Sequence, residues 1–82
     1  MDLKTTISAG IRAKREAAGL SQDRLAAKAG ISSRYYQAVE TAKKQPSLDT
    51  IFKIARALDC DYTELLKPVW DYWRSLPDDE RE

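Results

Sequence analysis

Side chains that could contact a nucleic acid lie close together in the segment 32–37, which reads SSRYYQ. The guanidinium of Arg34 could donate two hydrogen bonds to O6 and N7 of a guanine, and the amide of Gln37 could pair with an adenine edge. The hydroxyl of Ser33 could reach a base or a phosphate. The phenol of Tyr35 could pack against a thymine methyl group or a sugar and donate to a phosphate. Alternatively, these residues form an ordinary solvated helix face, with Tyr35 lying flat over the preceding helix.

Enzymatic chemistry is poorly supported, because the chain has no histidine and only one cysteine, Cys60. A Ser-His-Asp or Cys-His nucleophile pair, a Cys/His zinc site and an intramolecular disulfide are therefore excluded. The carboxylates are scattered, and there is no glycine loop that could cradle a phosphate. We expect no enzyme activity, no cofactor and no metal. We interpret Cys60 as a small, partly buried apolar residue rather than a redox switch.

The charges divide along the chain. Residues 1–56 carry eleven basic and five acidic side chains, a net charge of +6, whereas residues 57–82 carry three basic and eight acidic ones, a net charge of −5. A basic body with an acidic end suits a polyanionic partner on one face.

The length of 82 residues, 43% of them hydrophobic and 33% charged, indicates one small globular domain. No apolar run approaches the ~20 residues needed to cross a bilayer. The first ten residues lack the regions of a secretory signal. We therefore expect a cytoplasmic protein with no membrane partner and no small-molecule ligand.

Caps and apolar spacing predict an all-α fold of five helices followed by a short C-terminal aromatic helix. Gly19 and Gly30 are expected to end the first two helices in the left-handed conformation. Pro68 is expected to begin the separate aromatic helix, which divides the chain into 1–67 and 68–82. The predicted N-caps are Thr5 or Thr6, Ser21, Ser32, Ser47 and Asp61, the last in a capping box with Glu64.

Apolar spacing predicts which sides of two helices face the core. Ile7 and Ile11 lie one turn apart on the first helix. The fourth helix, LDTIFKIARAL, has its apolar residues spaced as on one helical face. These are Leu48, Ile51, Phe52, Ala55 and Leu58.

The segment 22–41 has the pattern of two helices joined by a tight turn. Ala26 is small where the two helices must cross closely, and Gly30 suits the turn because glycine takes positive φ at little cost. The apolar contacts between the helices are assigned to Leu25, Ile31 and Val39. A DNA-binding helix-turn-helix requires such an arrangement, in which the second helix of the pair enters the major groove.

The motifs GLSQ, LAAKAGIS, VE and PSLDTI occur in one register. With them, residues 11–66 resemble the phage-repressor/Cro-like (XRE) family of transcription regulators. The small size, acidic end and aromatic segment are also similar to restriction–modification controller proteins. The resemblance implies a repressor-like helix-turn-helix domain that binds double-stranded DNA with a recognition helix at about 32–41.

The resemblance also implies roles for individual residues. Base contacts are implied for Ser33, Arg34, Tyr35 and Gln37. A phosphate contact is implied for Gln22, and phosphate contacts are expected from their positions around the third helix for Ser32, Lys43, Lys44 and Ser47. The alternative for the two lysines is ordinary solvation. A structural ion pair between Arg15 and Glu40 would link the first helix to the end of the third and orient it.

Two positions depart from the family pattern. The family commonly has Ile or Val at position 36, and the larger Tyr36 would either push the recognition helix outward or require a hydrogen-bond partner for its hydroxyl. The family commonly has Gly at position 42. With Ala42 there, the third helix could run one turn longer, and the docking angle on DNA could change.

Three of the seven aromatic residues, Trp70, Tyr72 and Trp73, lie within four positions. One hypothesis is a symmetric dimer contact, and the other is that this segment folds back to cover the core. The proposed dimer contact consists of Val69, Trp70, Trp73 and Leu76. The acidic residues 78–82 are expected to stay away from phosphates and to be disordered.

Two functions remain after these exclusions. The first is a sequence-specific DNA-binding transcription regulator, acting as a homodimer on a palindromic operator. The alternative is a helix-turn-helix adaptor or antitoxin-like module whose main partner is another protein, bound through the aromatic segment.

Overall fold

The computed structural model describes residues 2–78, which form five α-helices and no strand. The helices are α1 (Leu3–Ala17), α2 (Gln22–Ala29), α3 (Ser33–Glu40), α4 (Leu48–Ala57) and α5 (Tyr62–Arg74). Helix α1 packs against α3 and α5, α2 packs against α3 and α4, and α4 also contacts α5. The all-α prediction is therefore confirmed. Across the described part of the chain, no helix combines the length and apolar character needed to cross a bilayer. The predicted acidic end at 78–82 lies outside the described residues, apart from Asp78.

The helix starts follow local capping rules, with one correction. The hydroxyls of Ser21, Ser32 and Ser47 each accept the backbone N–H three residues further on, as predicted. The predicted capping box at the start of α5 is also present. The predicted caps of α1, Thr5 or Thr6, are wrong, since that helix begins a turn earlier. The carboxylate of Asp2 accepts the N–H of Thr5 at 2.8 Å, and a charged acceptor at a helix start is further favoured by the helix dipole.

The core lies where all five helices converge. Its largest fully buried apolar residues are Ile11, Leu25, Tyr36, Val39, Ile54 and Leu65. The apolar stripe predicted for α4 is partly wrong. Leu48 and Phe52 are exposed, and Ile54, which lies outside that series, is fully buried. Cys60 is half-buried against the core, as expected, and burial raises the pKa of its thiol.

Helix α5 continues through Pro68, so the predicted break and separate aromatic helix are wrong. A proline inside a helix lacks one N–H donor and costs about 3 kcal/mol. Apolar contacts on both sides of the proline offset this cost. Leu65 is buried before it, and Val69 packs against the core after it. Trp70 and Trp73 therefore belong to the same continuous helix as Leu65.

Helix α3 ends at Glu40 and does not run a turn longer. Ala42 takes a φ of +62°, the left-handed conformation that glycine adopts more easily. The backbone N–H groups of Lys43 and Lys44 both donate to the carbonyl of Ala38, at 2.8 and 3.0 Å. This tight exit turn places the two lysines beside the end of α3.

Candidate nucleic-acid interface

Helix α3 has a buried inner face and a polar outer face. Tyr36, Val39 and Glu40 are almost completely inaccessible to solvent. Arg34 and Gln37 are exposed on the other side. This division follows from the helical repeat, because residues three or four apart share a face.

A single carboxylate, that of Glu40, joins three helices on the inner face. Arg15 of α1 donates two parallel hydrogen bonds to it, from Nε to Oε2 and from Nη2 to Oε1, both at 2.9 Å. Gln22 of α2 donates from Nε2 to Oε1 at 3.1 Å, and the phenol of Tyr36 donates to Oε2. We call Glu40, Arg15, Gln22 and Tyr36 the Glu40 network. A planar guanidinium held by two bonds fixes both the distance and the rotation of its partner.

The Glu40 network sets the protonation states of its members. Burial alone would raise the pKa of Glu40, but the hydrogen bonds from Arg15, Tyr36 and Gln22 outweigh burial and hold that pKa below its ordinary value. Burial, reinforced by the bond to the carboxylate, raises the pKa of Tyr36 well above its ordinary range. Near neutral pH, therefore, Glu40 is ionised and Tyr36 keeps its proton.

The geometry answers the question raised by the tyrosine at position 36. Its hydroxyl finds a partner one turn along the same helix, at Glu40, so the ring stays in the core with no exposed surface. Sequence reasoning missed this bond, although the spacing i, i+4 could have indicated it. It also missed Arg12, whose Nη2 donates to the backbone carbonyl of Glu40 at 3.2 Å.

Cationic side chains line the outer face of α3. A groove of about 340 Å³ is lined by Ser32, Arg34, Tyr35, Ala38 and Lys44. A neighbouring hollow of about 360 Å³ is lined by Arg34, Gln37, Ala38, Thr41 and Lys43. Within residues 2–78, no acidic side chain forms an ion pair with Arg34, Lys43 or Lys44. Their charges are thus available to an anionic partner.

Tyr35 occupies a position between the surface and the core. It is half-buried, and its hydroxyl lies 3.0 Å from the hydroxyl of Thr50 on α4. The ammonium group of Lys44 lies 5.9 Å from the centre of its ring, within the range of a cation–π contact. One face of the ring therefore lines the groove while the hydroxyl is held by α4.

The residues predicted to contact phosphates fall into two groups. Ser32, Lys43 and Lys44 are exposed around the outer face of α3, and Ser47 is exposed at the start of α4. Gln22 is only partly exposed, and one of its amide N–H bonds is directed to Glu40. The phosphate contact predicted for Gln22 would therefore have to use the other N–H of this amide.

A second surface, apolar rather than cationic, lies on α5. A groove of about 310 Å³ is lined by Leu3, Leu66, Val69, Trp70 and Trp73. We call it the Trp70 groove, since Trp70 is 59% exposed and is the most exposed large apolar residue of the described chain. Among the residues predicted for a dimer contact, Val69 also packs against the core. Leu66 was missed because α5 was predicted to break between Leu66 and Val69, and Leu3 was missed because it lies on α1, whose contact with α5 the sequence does not reveal.

Comparison with known proteins identifies relatives of similar size. The control protein C.SmaI of Serratia marcescens is 32% identical over 66 residues, which cover 80% of this chain and 79% of that protein. The HTH-type transcriptional regulator y4dJ of Sinorhizobium fredii is 28% identical over 69 residues, covering 84% and 90% of the two chains. The crystal structure of the restriction-modification controller protein C.AhdI from Aeromonas hydrophila superposes with a TM-score of 0.74 at 37% identity, covering 76% of this chain and 94% of that one.

The match to a family model covers the helices that carry the cationic face. The model, described as Helix-turn-helix, matches residues 11–65, more than half of the chain. That span runs from the middle of α1 to the first turn of α5. Together with the relatives of similar length, this match assigns the fold and the family: the chain belongs to the helix-turn-helix family HTH_3.

Proposed function

We propose that the protein acts as a homodimer that reads a palindromic operator with α3 in the major groove. It is a DNA-binding transcription regulator of the helix-turn-helix type. The proposal adds the residues that read bases, those that hold phosphates, and the surface through which two copies meet. A cytoplasmic location stays part of this proposal.

The observation that carries the proposal is the outer face of α3. Arg34 and Gln37 are exposed on one side of a helix whose opposite side is fixed by the Glu40 network. A guanidinium can recognise guanine, and a carboxamide can recognise adenine, through two hydrogen bonds each. Because the inner face is held by directional bonds, the two side chains project from α3 at a fixed angle.

Phosphate contacts are proposed for the residues that flank α3. Ser32 precedes the helix, and Lys43 and Lys44 follow it in the exit turn, so they could meet backbone phosphates on the two sides of a groove. Such contacts set position and affinity without reading the sequence. They also make binding depend on salt concentration, because counterions leave the DNA when lysines bind.

The Trp70 groove supports the proposed dimer. Tryptophan is favoured at the centre of protein interfaces, and the centre of an interface is more apolar than its rim; the groove combines two tryptophans with leucine and valine. A domain of this size has few side chains for reading DNA, and two linked copies gain affinity jointly. A twofold dimer meets two half-sites about one helical turn apart, which corresponds to a palindrome.

The base-reading proposal is tested with a duplex selected from a random pool by the parent protein. Arg34→Ala should remove the preference for that duplex over a scrambled one, a loss of about 1–3 kcal/mol, and leave weak, salt-sensitive binding. Gel-shift titrations measure both affinities. Equal preference in Arg34→Ala and in the parent would contradict the role of Arg34.

The lysines should behave differently from Arg34. Changing Lys43 and Lys44 together to Ala should weaken binding to every duplex and reduce the salt dependence by about one unit of slope per lost contact. Lys67→Ala, on α5, is the matched control and should change neither quantity. A loss confined to the selected duplex would show that the lysines read bases.

The dimer is tested by sedimentation velocity over a range of concentrations. The parent should show a concentration-dependent dimer, and Trp70→Ala should weaken it by at least about tenfold, since buried tryptophans dominate interface energies. A parent protein that stays monomeric would contradict the dimer. If that monomer also lacked affinity for duplex at low salt, the protein-binding alternative would be favoured.

A further inference from the structure

Three hydroxyl groups form a chain between α3 and α4. The hydroxyl of Thr50 lies 3.0 Å from that of Tyr35 on one side and 3.0 Å from that of Ser47 on the other. Thr50 is only 5% exposed, whereas Ser47 is exposed and Tyr35 is half-buried beside the cationic groove. The two outer hydroxyls thus border the surface, and the central one does not.

The number of protons limits how the three hydroxyl groups can bond to one another and to a partner. Three hydroxyls carry three protons, and each donates one hydrogen bond. The two bonds within the chain use two of the three protons. If Tyr35 and Ser47 both donated to Thr50, the proton of that buried hydroxyl would be left without a partner in the chain, which is unfavourable. The two bonds therefore run in one direction, and one proton is left to point outward. If Tyr35 donates to Thr50 and Thr50 donates to Ser47, the outward proton is on Ser47. If the direction is reversed, the outward proton is on Tyr35.

We propose that Thr50 is a positioning residue that makes Tyr35 and Ser47 act as one interchangeable donor to a DNA backbone phosphate. The inference rests on the proposed function and adds a residue and a mechanism to it. Either orientation satisfies the buried hydroxyl of Thr50 and offers one donor to the surface. The bound phosphate selects the orientation, and an anion at one end strengthens the bonds along the chain.

The residues around the three hydroxyl groups suit an anionic partner. Lys44 lies over the ring of Tyr35, and Ser32 and Arg34 line the same groove. The oxygens of Tyr35 and Ser47 are at most about 6 Å apart, because each lies 3.0 Å from the same atom. That separation allows both hydroxyls to address one phosphate group. Among residues 2–78, no acidic side chain lines this groove.

The mechanism predicts redundancy. In Tyr35→Phe, Thr50 can donate to Ser47, and Ser47 keeps an outward proton. In Ser47→Gly, Thr50 can donate to Tyr35, and Tyr35 keeps one. Loss of either outer hydroxyl therefore leaves the phosphate with a donor, and loss of both leaves it with none.

A double-mutant cycle on the selected duplex tests this redundancy. Tyr35→Phe keeps the ring beneath Lys44, and Ser47→Gly preserves the start of α4 to within a small effect. Each single variant should weaken binding by less than about threefold, and the double variant by about tenfold or more, as expected for a hydrogen bond to a charged group. Tyr62→Phe, an exposed tyrosine on α5, is the matched control and should leave the affinity unchanged.

Thr50→Val keeps the shape of the side chain and removes the central hydroxyl. Without it, Tyr35 and Ser47 donate independently, so the fold losses in affinity caused by Tyr35→Phe and Ser47→Gly should multiply in the double variant. Thr50→Ser retains a hydroxyl and should restore the redundancy. Thermal unfolding of each variant confirms that it is folded at the temperature of the binding assay. If Thr50→Val does not fold, the cycle in the Thr50 background still tests the redundancy, and Thr50→Ala, which removes the same hydroxyl, replaces Thr50→Val as the test of Thr50.

Each outcome has a clear reading. The proposal is supported if each single variant binds the duplex with nearly the affinity of the parent and the double variant binds it much more weakly. Loss of that pattern in the Thr50→Val background also supports it. Losses that multiply in the Thr50 background would overturn it while leaving the DNA-binding function intact, since the parent still binds the selected duplex. If the parent bound no duplex even at low salt, the proposed function and this inference would both fail.

Discussion

Helices α3 and α5 each expose a distinctive surface, but their inner faces are held by different forces. The inner face of α3 is fixed by the Glu40 network, in which a carboxylate accepts bonds from Arg15, Gln22 and Tyr36. The inner face of α5 is held mainly by apolar packing, with Leu65 buried and Leu66 and Val69 against the core. The outer faces of the two helices differ as well: that of α3 is cationic, and that of α5 is apolar.

The difference corresponds to two kinds of recognition. Hydrogen bonds are directional, so the Glu40 network fixes the rotation of α3 about its own axis. That rotation decides which side chains could reach base edges. Apolar packing depends on shape and area rather than on direction. It is sufficient for a surface such as the Trp70 groove, whose proposed partner is another apolar surface.

The largest effect should come from removing the centre of the Glu40 network. Glu40→Ala leaves Arg15 partly buried without its carboxylate and Tyr36 without its acceptor. We expect a loss of about 3–5 kcal/mol in the free energy of unfolding, a large part of the stability of a domain this small. Urea denaturation followed by circular dichroism measures the loss.

The control for this prediction is Asp49→Ala, which breaks an exposed ion pair with Lys53 on α4. Exposed pairs one helical turn apart contribute little, so stability should change by no more than about 0.5 kcal/mol. A similar loss in both variants would mean that the Glu40 network does not hold α3 in place.

An intermediate effect is expected at alkaline pH. The pKa of Tyr36 is raised from an ordinary value of 10.0, so above that pH the unfolded chain releases a proton that the folded chain keeps. The stability contributed by this group is complete below pH 10.0 and falls as pH rises further, by up to about 1.4 kcal/mol per pH unit. Tyr36→Phe should lose this part of the pH dependence, whereas the part that comes from the raised pKa of Cys60 should remain.

Leu65→Ala serves as the control for the pH dependence, because it weakens the apolar packing of α5. It should lower stability by about 2–5 kcal/mol, with the same alkaline loss as the parent. Urea denaturation at a series of pH values compares the three proteins. An identical alkaline loss in Tyr36→Phe would show that the ionisation of Tyr36 is not responsible.

The smallest effect concerns the exit turn that positions Lys43 and Lys44. Ala42→Gly should raise the free energy of unfolding by about 0.5–1 kcal/mol, because glycine takes the positive φ of 62° without strain. Ala27→Gly, on the exposed side of α2, should instead lower it by about 1 kcal/mol. Thermal unfolding measures both. A loss of stability in Ala42→Gly would contradict the strain assigned to the turn.

Much of the fold was predictable because its signals are local. Ser21, Ser32 and Ser47 cap the helices that follow them, and a cap depends on only three or four neighbouring residues. The glycines at positions 19 and 30 take positive φ, as expected for the ends of the first two helices. The outward position of Arg34 likewise follows from the helical repeat.

The failures occurred where contacts between distant residues decide the outcome. A local rule predicted that the helix would break at Pro68, but α5 continues through the proline because residues on both sides of it pack against the core. Periodicity alone placed Phe52 inside, where Ile54 lies instead. The contact of Tyr35 with Thr50 depends on how α3 lies against α4, and no spacing within α3 reveals it.

The sequence by itself determined the number of helices, the caps of four of them and the polar residues of the third helix, since these follow from propensities and spacing over a few residues. Only the tertiary structure decided that Glu40 joins three helices, that Thr50 lies between Tyr35 and Ser47, and that Trp70 stays exposed. The physical reason is that hydrogen-bond partners and burial depend on distances between helices. Those distances are set by packing the whole core at once.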